Sequence, residues 1–419
     1  MTEGRDHYYE SASHPRELEG KGEGEAGRAR ELALCLSGGG YRAALFHLGA
    51  VRRLDELGVL GRVSGISSVS GGSILAAHLA CREGRWGRGD TVFPDFEAEV
   101  AAPFRRFTRR NIRTPAILRR LAPWRWHRSD AAVRGLERSY DRHLTGGRRL
   151  SELPAWPRFV FCATDLVFGV NWVFERTKVG DYLVGFSSAL PREVSLARAV
   201  AASSCFPPVF NPLRLGLDPG ELEDGHAFRE AGDDRREKSR LEDLVRRVGL
   251  TDGGVYDNLG MEPFWDGADV LLVSDGGASL PHTSPRNPFR RLLRYTSVSL
   301  NQIQALRLRW SQARTAATEF RCLIWRIGQV RTDDAGYSPG LVRDRISTIR
   351  TDLDRFSDAE AKILENHGYL VADQRLRTHA EDLGNGRSLA VPHPEWLTDP
   401  GRAATALGRS SRRTLLGRW

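Results

Sequence analysis

Three short stretches hold residues that could do acyl-transfer chemistry together. The first is "SSVSGG", where Ser70 stands between Val69 and the pair Gly71-Gly72. It fits the nucleophile-elbow pattern G-x-S-x-G with Ser68 in the place of the first glycine, and small neighbours let a serine sit on a sharp strand-to-helix turn. A helix starting just after Ser70 would aim its positive end at developing negative charge. Taken alone, the motif also fits a serine that merely caps a helix.

The second stretch is "LALCLSGGGYRAALFHLG", with Gly38, Gly39 and Gly40 between an apolar run and a helical pattern. Three glycines there could form a tight turn, a phosphate cradle or an oxyanion hole. A phosphate loop needs Lys-Ser/Thr after the glycines, and Tyr41-Arg42 stands there instead. An oxyanion hole needs amides free to point at a carbonyl oxygen with no Cβ in the way, and these glycines supply that. The third stretch, "LTDGGVYDNLG", puts Asp252 before Gly253 and Gly254, a carboxylate on a tight turn. A rival is Asp275 in "VSDGGAS", which ends a more convincing strand and also precedes two glycines.

The elements that must position these residues read as alternating strands and helices. "LALCL" (32–36) predicts a strand buried on both faces, followed by a helix with apolar positions Tyr41, Ala44, Leu45, Leu48, Val51 and Leu54 that stops at Gly58. Residues 63–69 suit a strand and 71–82 a helix; further strands are expected at 158–166, 171–176, 268–275 and 320–328. The alternation predicts an α/β fold with a mostly parallel sheet covered on both faces.

The chain has 419 residues and a net charge of +9, which favours anionic partners such as a membrane surface or nucleic acid. Its five cysteines are scattered through apolar runs and suit a reducing compartment. No run approaches the roughly 20 apolar residues of a membrane span, and the N-terminus lacks the apolar core of a secretory signal, so a cytoplasmic location is expected. Residues 1–30 read as a disordered polar segment. The G-x-G-x-x-G pattern there (Gly22, Gly24, Gly27) follows no strand and is rejected as a nucleotide site. No zinc, EF-hand or Cys-x-x-Cys signature occurs, so neither metal nor cofactor is expected. His47 and His78 lie on the helices after the two junctions and read as packing or surface histidines. The segment 104–128, "FRRFTRRNIRTPAILRRLAPWRWHR", interleaves arginines with Phe104, Phe107, Ile117, Leu118, Leu121, Trp124 and Trp126. It suits either a cap that docks on anionic lipid or a helix packed by its apolar side.

"SGGGYRAALFHLGAVRRL", "SSVSGGS", "ARAVAASSCFPPVFNPL" and "LTDGGVYDNLG" occur in an order and spacing that resembles the patatin-like phospholipases, whose machinery is similar to that of cytosolic phospholipase A-type enzymes. The resemblance runs from about Leu32 to at least Leu280, and more weakly toward "ILENHGYLVAD". It implies a three-layer α/β/α fold and a Ser-Asp dyad without histidine that hydrolyses acyl esters of phospholipids or related lipids through an acyl-enzyme. On this resemblance Ser70 matches the nucleophile, Asp252 the base, Gly38, Gly39 and Gly40 the oxyanion loop and Arg42 the basic residue after it. The amide of Gly71 would join the oxyanion donors, with Ser68, Gly72, Gly253 and Gly254 supporting the turns. Two departures stand out: Ser68 for the first elbow glycine, and Ala43 where many members carry glycine.

The expected organisation is a catalytic domain over 31–390 with a helical cap at about 95–150, a charged insertion at 217–244 and a basic tail at 391–419. The partners expected are a lipid ester and peripheral contact with an anionic membrane; nucleic acid is not. An acyltransferase on the same dyad, or a lipid-binding scaffold without catalysis, are the alternative functions.

Overall fold

The computed structural model describes residues 31–418 apart from 83, 88–90, 119–129, 208, 278–283, 285–286, 334, 409, 411–412 and 415–416. Strand β1 (Leu32–Leu36) sends Leu32, Leu34 and Leu36 into one buried cluster and Ala33 and Cys35 into another. The same alternation holds in β3 (Arg158–Asp165), where Phe159, Phe161 and Ala163 oppose Val160 and Cys162. Side chains of a strand alternate between faces, so two clusters mean a sheet buried on both sides, which is why its strands read as unbroken apolar runs.

Helices α1 (Gly40–Glu56), α2 (Gly71–Ala80), α3 (Ala102–Thr108), α4 (Ala131–Tyr140) and α5 (Leu196–Ser204) contribute to the larger cluster. The smaller cluster is closed by Leu259, Met261 and Phe264, which follow the short helix α6 (Gly254–Asp257), and by Leu308 of the long helix α7 (Pro288–Ala317). Helix α8 (Asp358–His379) packs on the first face with α1. The result is a three-layer α/β/α fold.

Five parallel strands form the centre in the order β10–β9–β1–β2–β3, with β2 at Gly65–Val69, β9 at Val270–Asp275 and β10 at Arg321–Arg326. Beyond β3 the sheet continues antiparallel through β4 (Asn171–Phe174), β5 (Val179–Asp181) and β6 (Gly185–Ser187). The edge of β3 that faces β2 is shared. Strand β2 occupies it from Arg158 to Cys162, and β8 (Gly249–Asp252) takes it over, antiparallel, from Ala163 to Asp165. A two-residue strand, β7 (Leu213–Arg214), pairs with β8.

The segment 217–244 leads into β8 through a short helix at His226–Glu230 and a longer one at Arg235–Val245, capped by the Asp234 carboxylate. Leu241 and Val245 are buried while most of its charged side chains are exposed. Past residue 390 the chain stays in the core: Trp396, Ala403 and Leu407 belong to the larger cluster. In the cap segment, Phe104 and Phe107 are buried, and Phe107 packs edge-on against Tyr41 with centroids 5.6 Å apart. Of the two readings of 104–128, a lipid-docking cap or a helix packed by its apolar side, these two phenylalanines follow the second. Leu121, Trp124 and Trp126 of the same stretch lie outside the described residues, as does the segment 1–30.

Candidate active site

Between the end of β2 and the start of α2, Ser70 adopts φ 50° and ψ −112°. Besides Asp224 it is the one non-glycine residue with positive φ among the described residues, a conformation that costs of order 1–3 kcal/mol and must be held by its surroundings. The hold is a chain of hydroxyls. The Ser70 N–H donates to Ser203 Oγ (3.0 Å), Ser203 Oγ bonds Ser73 Oγ (2.8 Å), Ser73 donates to Ser68 Oγ (3.1 Å), and Ser68 donates to the Val160 carbonyl (3.1 Å). The serine in place of the first elbow glycine thus ties the turn to β3, which glycine could not do. Gly72 N–H donates to Ser37 O at 3.1 Å, fastening α2 to the glycine loop.

Asp252 ends β8, buried, directly beyond the end of β2. Its Oδ1 accepts the Gly254 N–H at 2.8 Å, and its backbone is fixed by Thr164 Oγ1 donating to its carbonyl at 2.9 Å. Next in chain, Gly253 N–H donates to the carbonyl of Ser203 (3.4 Å), so α5 touches both junctions. Burial pushes the Asp252 carboxyl up from 3.8 to about 7, against the Gly254 N–H and the Ser70 hydroxyl, which pull it down. Asp252 Oδ2 has no well-formed hydrogen bond. The Ser70 hydroxyl, close enough to act on the carboxylate, is the group placed to supply one; such contacts are commonly loose before substrate binds.

In the glycine loop, Gly39 (φ 140°) precedes α1 and Gly40 (φ 60°) begins it. The Gly38 N–H is committed to the Asn258 carbonyl at 3.0 Å, so this amide cannot donate to a bound oxyanion. The amides of Gly39, Gly40 and Gly71 donate to no backbone carbonyl or side chain among the described residues. These three are therefore the available donors, two at the start of one helix and one at the start of another. The starts converge closely: a Cβ on Gly71 would lie 2.2 Å from the Gly40 carbonyl. Arg42 braces this loop. Its Nε and Nη2 donate to Gly276 O (3.1 and 2.9 Å) and its Nη1 to Ile349 O (2.9 Å).

A cavity of 340 Å³ brings together Ser70, Asp252, Gly254, Arg42 and Gly38–Gly40. Sequence reasoning missed its far wall, where Phe206 and Phe210 are joined by Leu300, Asn301 and Gln304 of α7. Phe206 and Phe210 lie within the quoted "ARAVAASSCFPPVFNPL" and could have been singled out, whereas Leu300, Asn301 and Gln304 sit in no motif, since a residue from a distant helix is recognisable only by contact. Asn258, also on the cavity, was within the quoted "DGGVYDNLG" and could have been singled out.

The rival carboxylate is engaged elsewhere. Asp275 accepts from Gly277 N (3.0 Å) and Gln304 Nε2 (2.7 Å), with Arg326 at 3.8 Å, and it does not line the cavity. His47 is held between Ser274 Oγ (2.7 Å) and Ser37 O (2.9 Å), and burial lowers it to about 4; His78 bonds Val100 O and falls to about 3. Among the described residues no group of His, Cys, Asp and Glu could hold a metal.

The mostly parallel sheet between two helical layers makes this an α/β protein, and Ser70 follows the carboxyl end of one of its central strands, where such sheets collect their sites. The model of the patatin-like phospholipase family matches residues 34–265, more than half of the chain, and the protein belongs to that family. Among solved structures, human GIVD cytosolic phospholipase A2 is 15% identical, with 84% of this chain and 59% of that one covered and a TM-score of 0.48. VipD from Legionella pneumophila is 14% identical, with 84% and 67% covered and a TM-score of 0.38. The chain thus spans less than two thirds of the human protein's length. No curated protein matches the sequence.

Proposed function

We propose that the protein is a serine lipid acyl hydrolase that cleaves carboxylic ester bonds of phospholipids or related lipids through a Ser70–Asp252 dyad. The observation that carries this reading is a strained serine sharing one cavity with a buried carboxylate poised near pH 7. A base with that pKa is charged for an appreciable fraction at neutral pH and still returns its proton readily. Asp252 takes the Ser70 hydroxyl proton as Oγ attacks the ester carbonyl carbon. The carbonyl π electrons move onto oxygen, which receives the amides of Gly39, Gly40 and Gly71; one such donor is worth roughly 3 kcal/mol. The carbonyl re-forms, the C–O bond to the alcohol breaks, and Asp252 gives that alcohol its proton, leaving an acyl-Ser70. Water, deprotonated by Asp252, repeats the sequence and frees the acid.

The apolar wall of Phe206, Phe210 and Leu300 suits an acyl chain. No described helix is long and apolar enough to cross a membrane. With a net charge of +9 and a lipid substrate, we place the protein as a cytoplasmic enzyme in peripheral contact with anionic membranes.

The test is labelling with a fluorophosphonate probe, together with product analysis on mixed phospholipids and neutral esters. Ser70 should take the label, Ser70→Ala should not, and free fatty acid should appear only with the wild type. Labelling elsewhere, or equal turnover in the variant, would remove the proposal. Acyl transfer to an added alcohol in preference to water would assign the alternative activity.

A further inference from the structure

Helix α7 spans 30 residues, about 45 Å, with six arginines and no acidic residue, a local charge of +6 against +9 for the whole chain. Its two sides have different surroundings. One side is engaged by the protein: Ser297, Leu300, Asn301 and Gln304 line the cavity, Leu308 packs on the smaller core cluster, and Arg307 pairs with Asp257 and Glu262, each at 3.4 Å. The other side carries Leu292 (61% exposed), Tyr295 (63%), Leu306 (43%) and Trp310 (60%), with Val298 at its margin.

At 100° per residue, Leu292 and Trp310 fall on the same line five turns apart, with Tyr295 and Leu306 within about 60° of it. Nine large hydrophobic side chains are exposed among the described residues, and five of them are on this one helix. Concentration on that scale marks an interaction surface. Arg291 and Arg309 lie exposed along its margins and Arg294 half-buried.

We propose that α7 lies flat on an anionic lipid bilayer, with Leu292, Tyr295, Leu306 and Trp310 sunk to the acyl boundary and Arg291 and Arg309 at the phosphates. Two features select this occupant. A stripe of Leu, Tyr and Trp needs an apolar partner with a wet boundary, which a bilayer interface supplies and nucleic acid does not. An acid-free cationic helix would repel its own copy across a two-fold axis, whereas anionic headgroups attract it. Since the opposite side of the same helix walls the cavity, docking sets the cavity beside the membrane from which a lipid would enter. That consequence rests on the hydrolase reading; the docking surface itself does not.

The experiment is cosedimentation of the full-length protein with phosphatidylcholine vesicles, with and without phosphatidylglycerol, at low and high salt. Wild type should bind the anionic vesicles and release with salt. Leu306→Ala combined with Trp310→Ala should lower partitioning by at least about tenfold. Turnover of a soluble nitrophenyl ester should stay unchanged in that variant while hydrolysis of vesicle phospholipid falls. Equal binding to neutral vesicles, undiminished binding by the double variant, or a wild-type dimer that the double variant dissolves would each overturn the proposal. Vesicle binding by this helix in a protein inert toward every ester would sustain the docking surface and refute the hydrolase reading.

Discussion

Ser70 and Asp252 meet because two strands running in opposite directions end against each other on one edge of β3. Val69 of β2 pairs with Cys162, and Asp252 of β8 pairs with the next residue, Ala163. The serine follows the first strand end and the carboxylate closes the second. Asp275 ends β9, which is separated from β2 by the whole of β1. Strand order therefore sets Asp252, and not Asp275, beside the end of β2.

The strain at the elbow predicts a divergence between two inactive variants. Ser70→Ala should lose ester turnover and keep roughly the wild-type melting temperature, because alanine is as uncomfortable as serine at φ 50°. Ser70→Gly should be equally inactive and more stable by about 1 kcal/mol. Denaturant titrations of both read this directly; equal stability would mean that the turn stores no strain.

Asp252 predicts both a pH profile and a stability change. kcat/KM should rise with pH through about 7 as the carboxyl ionises. Asp252→Asn should cut turnover by about a hundred- to ten-thousandfold. Its folded pKa lies above the unfolded 3.8, so the group's contribution to stability is full below 3.8 and is lost as pH rises through about 7. The asparagine variant should therefore unfold at higher denaturant than wild type well above pH 7, by up to about 4 kcal/mol, and show no gain below 3.8.

Substitution of the rival groups should leave the chemistry standing. Asp275→Asn keeps an oxygen for Gly277 but faces the Gln304 amide with an amide, so it should act mainly on stability. His47→Asn and His78→Asn remove neutral, buried rings and should leave turnover per folded molecule within about tenfold of wild type. A histidine as costly as Ser70 in these assays would replace the dyad with a triad.

Ser203 is a positioning residue, holding the Ser70 N–H with its hydroxyl and the Gly253 N–H with its carbonyl. Ser203→Ala strands a buried amide, at a cost of about 1–3 kcal/mol. It should slow fluorophosphonate labelling and lower kcat with KM unchanged, since the elbow loosens while the cavity wall stays. A change confined to melting temperature would make Ser203 purely structural.

Some of this was settled along the chain and some only in three dimensions. The strand at 32–36, the helix after Gly40 and the elbow at Ser70 were legible because periodicity and turn sterics act between near neighbours. Of the antiparallel arm only β4 was legible: β5 and β6 have three residues each, too few for a period to show. The segment 104–128 suited either a lipid-docking cap or a helix packed by its apolar side, and Phe104 and Phe107 face the core, because an amphipathic pattern names a buried side without naming what buries it. Gly38 looked equivalent to its neighbours until the Asn258 carbonyl, brought in by the folded chain, claimed its amide. Asp252 and Asp275 carry the same local motif, and what separates them is a strand pairing between residues almost ninety positions apart, Ala163 with Asp252. A turn is encoded by its own residues, whereas which two turns face each other depends on the order and register of strands that only the assembled sheet defines.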